Sequence, residues 1–178
     1  DGNATIDNGT LNLEIATSSV GGDLTLTTAQ ADGITDGGTV TVGGNLSVVN
    51  GTSNGDINMG SLAVTGTIAL TTSGSSGNAT VVNSNGLTFA STTVGNDLTA
   101  EASAGSIAQA TGTILNITGD TTLTAANAQS INLNNGNIFT SQTVAFNASG
   151  GGTLANVTIS DTGGDATTGR FDLAALTL

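Results

Sequence analysis

Carboxylates, hydroxyls and amides are almost the only functional side chains in this 178-residue chain, which carries 13 acidic residues, one basic residue (Arg170), and no His or Cys. The chemistry open to such a set is narrow. Without thiol or imidazole there is no nucleophile relay and no nitrogen or sulfur ligand set for zinc, haem or iron–sulfur clusters. Hydrolysis by carboxylates alone needs two of them at a fixed separation, or acidic ligands holding a hard cation beside a base. Asp23, Asp97 and Asp120 recur at one edge of a repeated motif, and stacking of successive repeats sets Asp97 and Asp120 about 4.8 Å apart. The same position elsewhere holds Asn45, Thr67, Thr143 and Arg170, so the pair is not a repeating device. A hydrated Asp capping a turn through its own backbone is the expectation at each site. No catalytic residue is assigned, and no enzyme activity is expected.

Other oxygen-rich stretches carry no stronger site. Ser160-Asp161-Thr162-Gly163-Gly164-Asp165 places two carboxylates around a Gly turn, a possible calcium ligand set. Its spacing recurs in no other repeat and the nonapeptide pattern of calcium-binding β-rolls is missing, so a solvated turn is expected, with no metal and no cofactor. Asn-x-Ser/Thr triplets at Asn3, Asn8, Asn45, Asn50, Asn78, Asn116, Asn147 and Asn156 arise readily in so Asn- and Thr-rich a chain. They become glycosylation sites only in a host with that machinery. Paired outward Thr, the basis of an ice-binding lattice, occur only at Thr25/Thr27 and Thr122/Thr124.

The elements that must carry these residues follow from composition and period. A net charge of -12 repels phosphate backbones and anionic lipid, so neither nucleic acid nor membrane insertion is expected. There is no apolar run of about 18 residues and no basic start followed by an apolar stretch. With four Phe and no Tyr or Trp, the core must be aliphatic.

A seven-residue pattern, apolar-x-Gly-polar-apolar-small-apolar, begins at Val20, Val42, Val64, Val94, Ile117, Thr140 and Thr167, at intervals of 22, 22, 30, 23, 23 and 27 residues. Its fifth position reads Leu24, Leu46, Ile68, Leu98, Thr121, Val144, Phe171, and its seventh reads Leu26, Val48, Leu70, Ala100, Leu123, Phe146, Leu173. Such alternation is strand periodicity with one buried face. A second column holds Leu11/Leu13, Ile57/Met59, Leu87/Phe89, Ile131/Leu133 and Val157/Ile159, with Ile34 and Ile107 as weaker copies; Asn12, Asn58 and Asn132 sit between them, facing out. A third runs into the motif at Val40–Val42, Leu62–Val64, Leu115–Ile117 and Ile138–Thr140. Gly22, Gly44, Gly66, Gly119 and Gly169 hold the third motif position, where a corner calls for positive φ or close backbone approach.

Three short strands per coil of roughly 22 residues describe an all-β chain wound as a parallel β-helix. About seven coils at about 4.8 Å give a rod roughly 34 Å long. The two long intervals are expected to be corner loops, at Ser73–Gly77 and Gly150–Gly152, within a single domain over 1–178.

Gly21-Gly22-Asp23-Leu24-Thr25-Leu26, Gly43-Gly44-Asn45-Leu46-Ser47-Val48, Asn96-Asp97-Leu98-Thr99, and Gly119-Asp120 with Thr122-Leu123-Thr124 resemble the repeat region of filamentous haemagglutinin-type adhesins, exported by two-partner secretion in Gram-negative bacteria. The likeness runs from about Leu11 to Leu173. It implies a right-handed parallel β-helix, secretion to the cell surface, and a role as an adhesive or structural rod. The family's N-terminal secretion domain is not recognisable, and Arg170-Phe171-Asp172 is not Arg-Gly-Asp. Neither end carries an evident cap, so the chain reads as a segment of a longer repeat protein or a subunit stacking end to end into a fibre. Its expected partners are neighbouring repeats or copies of itself, and host glycans or surfaces. The competing expectations are a polysaccharide-binding or polysaccharide-degrading β-helix module and an ice-binding solenoid.

Overall fold

The computed structural model describes residues 2–140, 143–163 and 172–178. Its strands form where Val, Ile, Leu and Thr alternate with small polar residues, and they stop at Gly, Asn, Asp and Ser clusters. The first nine are β1 (Ala4–Asp7), β2 (Leu13–Ile15), β3 (Ser18–Val20), β4 (Leu24–Thr28), β5 (Ile34–Asp36), β6 (Val40–Val42), β7 (Leu46–Ser53), β8 (Ile57–Val64) and β9 (Thr67–Ser73). Then come β10 (Ala79–Asn83), β11 (Leu87–Phe89), β12 (Thr92–Val94), β13 (Leu98–Ala102), β14 (Ile107–Gln109), β15 (Leu115–Ile117), β16 (Thr121–Ala125), β17 (Ile131–Phe139), β18 (Thr143–Ala148), β19 (Val157–Asp161) and β20 (Asp172–Leu176).

Each strand pairs in parallel with the strand one circuit away, so the chain winds as a parallel β-solenoid of about seven turns. Two sheets enclose the core. One follows the order β1-β4-β7-β9-β11-β14-β17, with β19 added on β17 and with β12 and β15 beside the short strands. The other follows β2-β5-β8-β10-β13-β16-β18-β20, with β3 and β6 alongside.

Within each half of the chain a circuit joins one single strand to one split rung, made either of two short strands or of one strand long enough to serve both. In the first half the single strands β1, β4, β7 and β9 lie in sheet one, and the split rungs β2/β3, β5/β6 and β8 lie in sheet two. β10 then follows β9 with no split rung between them, and the arrangement reverses. Single strands β10, β13, β16 and β18 occupy sheet two, while β11/β12, β14/β15 and β17 occupy sheet one.

This reversal corrects the expected register. Leu24, Leu46 and Ile68 do stack as one column, but the next residue on it is Phe89, not Leu98. Leu98 instead stacks on Ala79, which stacks on Ile57, and the column runs on to Thr121 and Val144. The reason lies in the 30-residue interval between Val64 and Val94. The expected loop is present between the end of β9 at Ser73 and the start of β10, but Ala79-Thr80-Val81-Val82-Asn83 is an additional strand, buried at alternate positions. One extra strand is half a circuit, so every later copy of the motif lands on the opposite sheet.

Mixed columns still fill the core. Leu26, Val48, Leu70, Met59, Phe89, Leu98, Ile34 and Ile107 are fully buried, each worth about 1.5–3 kcal/mol relative to exposure. Gly150–Gly152 is a short turn in which Gly150 and Gly151 take φ of 65° and 71°. The motif glycines serve close approach instead: a Cβ on Gly66 would lie 2.5 Å from the Gly44 carbonyl oxygen of the coil below. The last motif copy, Thr167–Leu173, lies outside the described residues up to Phe171.

Candidate functional site: Asx ladders and the outward face

The recurring Asp and Asn of the motif edge do cap backbone, but in the neighbouring coil rather than in their own turn. Parallel stacking brings the equivalent amide of the next coil within one rung of each side chain, and the side chain takes it. Asn3 Oδ1 accepts the Asp23 amide at 2.8 Å, Asp23 Oδ1 accepts that of Asn45 at 2.7 Å, and Asn45 Oδ1 accepts both the amide and the hydroxyl of Thr67 at 2.9 Å. A second ladder stands on sheet two. There Asp56 accepts the Asn78 amide at 2.8 Å, Asn78 that of Asp97 at 3.2 Å, Asp97 that of Asp120 at 2.9 Å, and Asp120 both the amide (2.9 Å) and the hydroxyl (2.8 Å) of Thr143. Here Asp97 and Asp120 are neighbours, as the stacking arithmetic suggests. Each has an Oδ1 committed to a backbone N–H, which orients the carboxylates for holding coils together.

A second polar set is buried and was not legible as functional in the sequence. Asn83 Oδ1 accepts the Val64 amide at 2.8 Å, while its Nδ2 donates to the carbonyls of Val64 (3.0 Å) and Gly86 (2.7 Å). Asn137 Oδ1 accepts the Leu115 amide at 3.0 Å and pairs with the Gln109 carboxamide. Asn50 Nδ2 donates to Gln30 and Asp56 carbonyls, which removes this Asn-Gly-Thr triplet from any modifying enzyme. The signal was present: Asn50 and Asn83 continue the inward parity of Leu46/Val48 and Ala79/Val81. Among the described residues, Thr121 Oγ1 alone is a buried side-chain polar atom with no partner.

The outward face is built of hydroxyls. Thr5, Thr25, Ser47 and Ala69 form one axial column on sheet one, and Thr80, Thr99, Thr122 and Ala145 form its counterpart on sheet two. Thr25/Thr27 and Thr122/Thr124 therefore lie on different sheets and do not belong to one lattice. Beside the second column, Asp56, Asn58, Asn78, Thr80, Asp97 and Thr99 line an open groove of about 330 Å³. Among the described residues no three acidic groups converge as a metal site. In the Ser160–Asp165 stretch, Asp161 Oδ1 accepts the Gly163 amide at 3.0 Å; Gly164 and Asp165 lie outside the described residues, as does Arg170.

Comparison with known proteins adds one finding. The model of a family described as repeats of unknown function, DUF5649, matches residues 1–59 and 76–146. No curated protein and no solved structure matches the chain.

Proposed function

The chain belongs to the DUF5649 family of repeats, and from that premise we propose that it serves as a stiff extracellular rod on a bacterial surface, giving reach and attachment, as its resemblance to filamentous haemagglutinin-type repeats implies. The observation that carries this reading is the continuity of the stack. Backbone pairing, aliphatic columns and two Asx ladders run from coil to coil, so each coil's specific interactions are spent on its neighbours. A solenoid of this kind is quasi-one-dimensional, suited to length and stiffness. Attachment falls to the exterior, where hydroxyl columns and the groove beside Thr80 and Thr99 offer hydrogen bonds to glycans on a host surface. Further repeats or copies stack on the coil ends.

Electron microscopy of the native material and of the purified chain, joined to a glycan-binding screen, tests the reading. Thin fibres whose axial repeat matches the inter-strand spacing, together with retention on glycans, are expected. Discrete particles in both samples, or turnover of a polysaccharide by the purified chain, would sink it.

A further inference from the structure

A longer period underlies the seven-residue motif. Asn3-Ala4-Thr5-Ile6, Asn78-Ala79-Thr80-Val81 and Asn156-Val157-Thr158-Ile159 are three versions of one tetrapeptide. Three of the Asn-x-Thr triplets are thus one position seen three times. The ladders keep the same offset, since Asn3, Asp23, Asn45 and Thr67 correspond to Asn78, Asp97, Asp120 and Thr143, displaced by 75, 74, 75 and 76 residues. Both ladders end alike, on a Thr whose amide and hydroxyl bond the same Asx oxygen. The two stretches matched by the family model also start 75 residues apart, at 1 and 76.

The junctions at the second and third tetrapeptides are built on the same plan, with a bulge one residue longer at the third. At one, β10 lies on β8: the Ile57 amide donates to Asn78 O at 2.9 Å, Ala79, Thr80 and Val81 face Ile57, Asn58 and Met59, the register then shifts, and Asn83 faces Leu62. At the other, β19 lies on β17: the Ile131 amide donates to Asn156 O at 2.9 Å, Val157, Thr158 and Ile159 face Ile131, Asn132 and Leu133, the register shifts, and Asp161 faces Asn137. In both, a side-chain oxygen closes the joint. Asn83 Oδ1 takes the amide of Val64, the last residue of β8, and Asp161 Oδ1 takes that of Phe139, the last residue of β17, at 3.1 Å.

We infer that the unit of this rod is a module of about 75 residues, that Asn156 opens a third module, and that the end of each module is a docking surface for the start of another of the same kind, closed by the side chain at Asn83 or Asp161. One module comprises four single strands and three split rungs, seven half-circuits in all. Because seven is odd, each module starts on the sheet opposite to its predecessor, which is why β1 and β19 share sheet one while β10 lies in sheet two. The partner that fits this surface is a segment beginning Asn-Ala/Val-Thr-Ile/Val, with Asp or Asn five residues after the first Asn. This assembly rule holds whether or not the rod is adhesive.

Hydrogen exchange on the full chain, resolved by residue, tests it. Asn83→Ala is expected to accelerate exchange of the Val64 amide, and Asp161→Ala that of the Phe139 amide, each by about tenfold, with Leu26 and Leu123 inside the modules unmoved. The swap Asp161→Asn is expected to keep the Phe139 amide protected, since an amide Oδ1 accepts as the carboxylate does; Asn83→Asp, which loses the Nδ2 donations to the Val64 and Gly86 carbonyls, is no such control. An unchanged amide in either Ala variant, equal acceleration inside the modules, or lost protection in Asp161→Asn would overturn the inference. Should Asn83→Ala fail to fold, the Asp161→Ala and Asp161→Asn variants decide it alone.

Discussion

Thr121 sits where Leu98 and Val144 sit in the rungs on either side, yet its hydroxyl has no partner in the core. Replacing it with Val keeps the branched shape and removes a buried polar group, so Thr121→Val should raise stability by about 1 kcal/mol, read as a higher denaturant midpoint. A lower midpoint would mean that the hydroxyl finds water in the core. Leu98 and Asn58 make the complementary pair. Leu98 is fully buried and Asn58 exposed; Leu98→Asp should cost more than about 4 kcal/mol and unfold neighbouring coils, while Asn58→Asp should stay within about 0.5 kcal/mol. Similar effects from the two would contradict the alternation of burial along β8 and β13. The motif Asp residues show how far residue-level reading reaches. Type and recurrence marked them as turn caps, but the bond partner depends on which amide the stacking brings near.

At the scale of strands and corners, the sequence disclosed the motif strands, though not β10, because alternation is a local property. Register was harder, because it depends on counting circuits. Ala79-Thr80-Val81-Val82-Asn83 follows the expected Ser73–Gly77 loop without the Gly-bearing motif, so β10 falls in no column until Leu98 is seen to stack on it. The cysteine-free chain offers a direct check. Thr80→Cys with Thr99→Cys should form a disulfide on mild oxidation, since these residues face each other on adjacent strands; Ala69→Cys with Thr99→Cys, the pair a uniform motif register would require, should not. A reversed outcome would remove the half-circuit shift. Corners supply a further test. Gly66→Ala would push a Cβ against the Gly44 carbonyl and should cost about 1–3 kcal/mol in chemical denaturation, whereas Gly60→Ala, with open space around it, should cost far less.

For the molecule as a whole, thirteen acids against one base mean that self-repulsion opposes the compact rod. Moving from about 0.01 M to about 1 M salt shortens the screening length from roughly 30 Å to roughly 3 Å, so the thermal midpoint should rise with sodium chloride. A midpoint that falls would indicate that the coil-to-coil Asx bonds, rather than repulsion, dominate the salt response. The fold class, the number of coils and the aliphatic core were all legible from composition and period. The candidate site was legible only in part: the acids were visible, the coil-bridging use of them was not, and Asn83 and Asn137 act through contacts 19 to 28 residues away. Half-circuit counting has a last consequence, one of symmetry. If modules follow one another as β1, β10 and β19 do, a long array behaves like a twofold screw, its hydroxyl rows facing left and right by turns with a stagger of about 17 Å and recurring on one side every 34 Å or so. Such a filament has no front and no back: both flanks present the same hydroxyl rows.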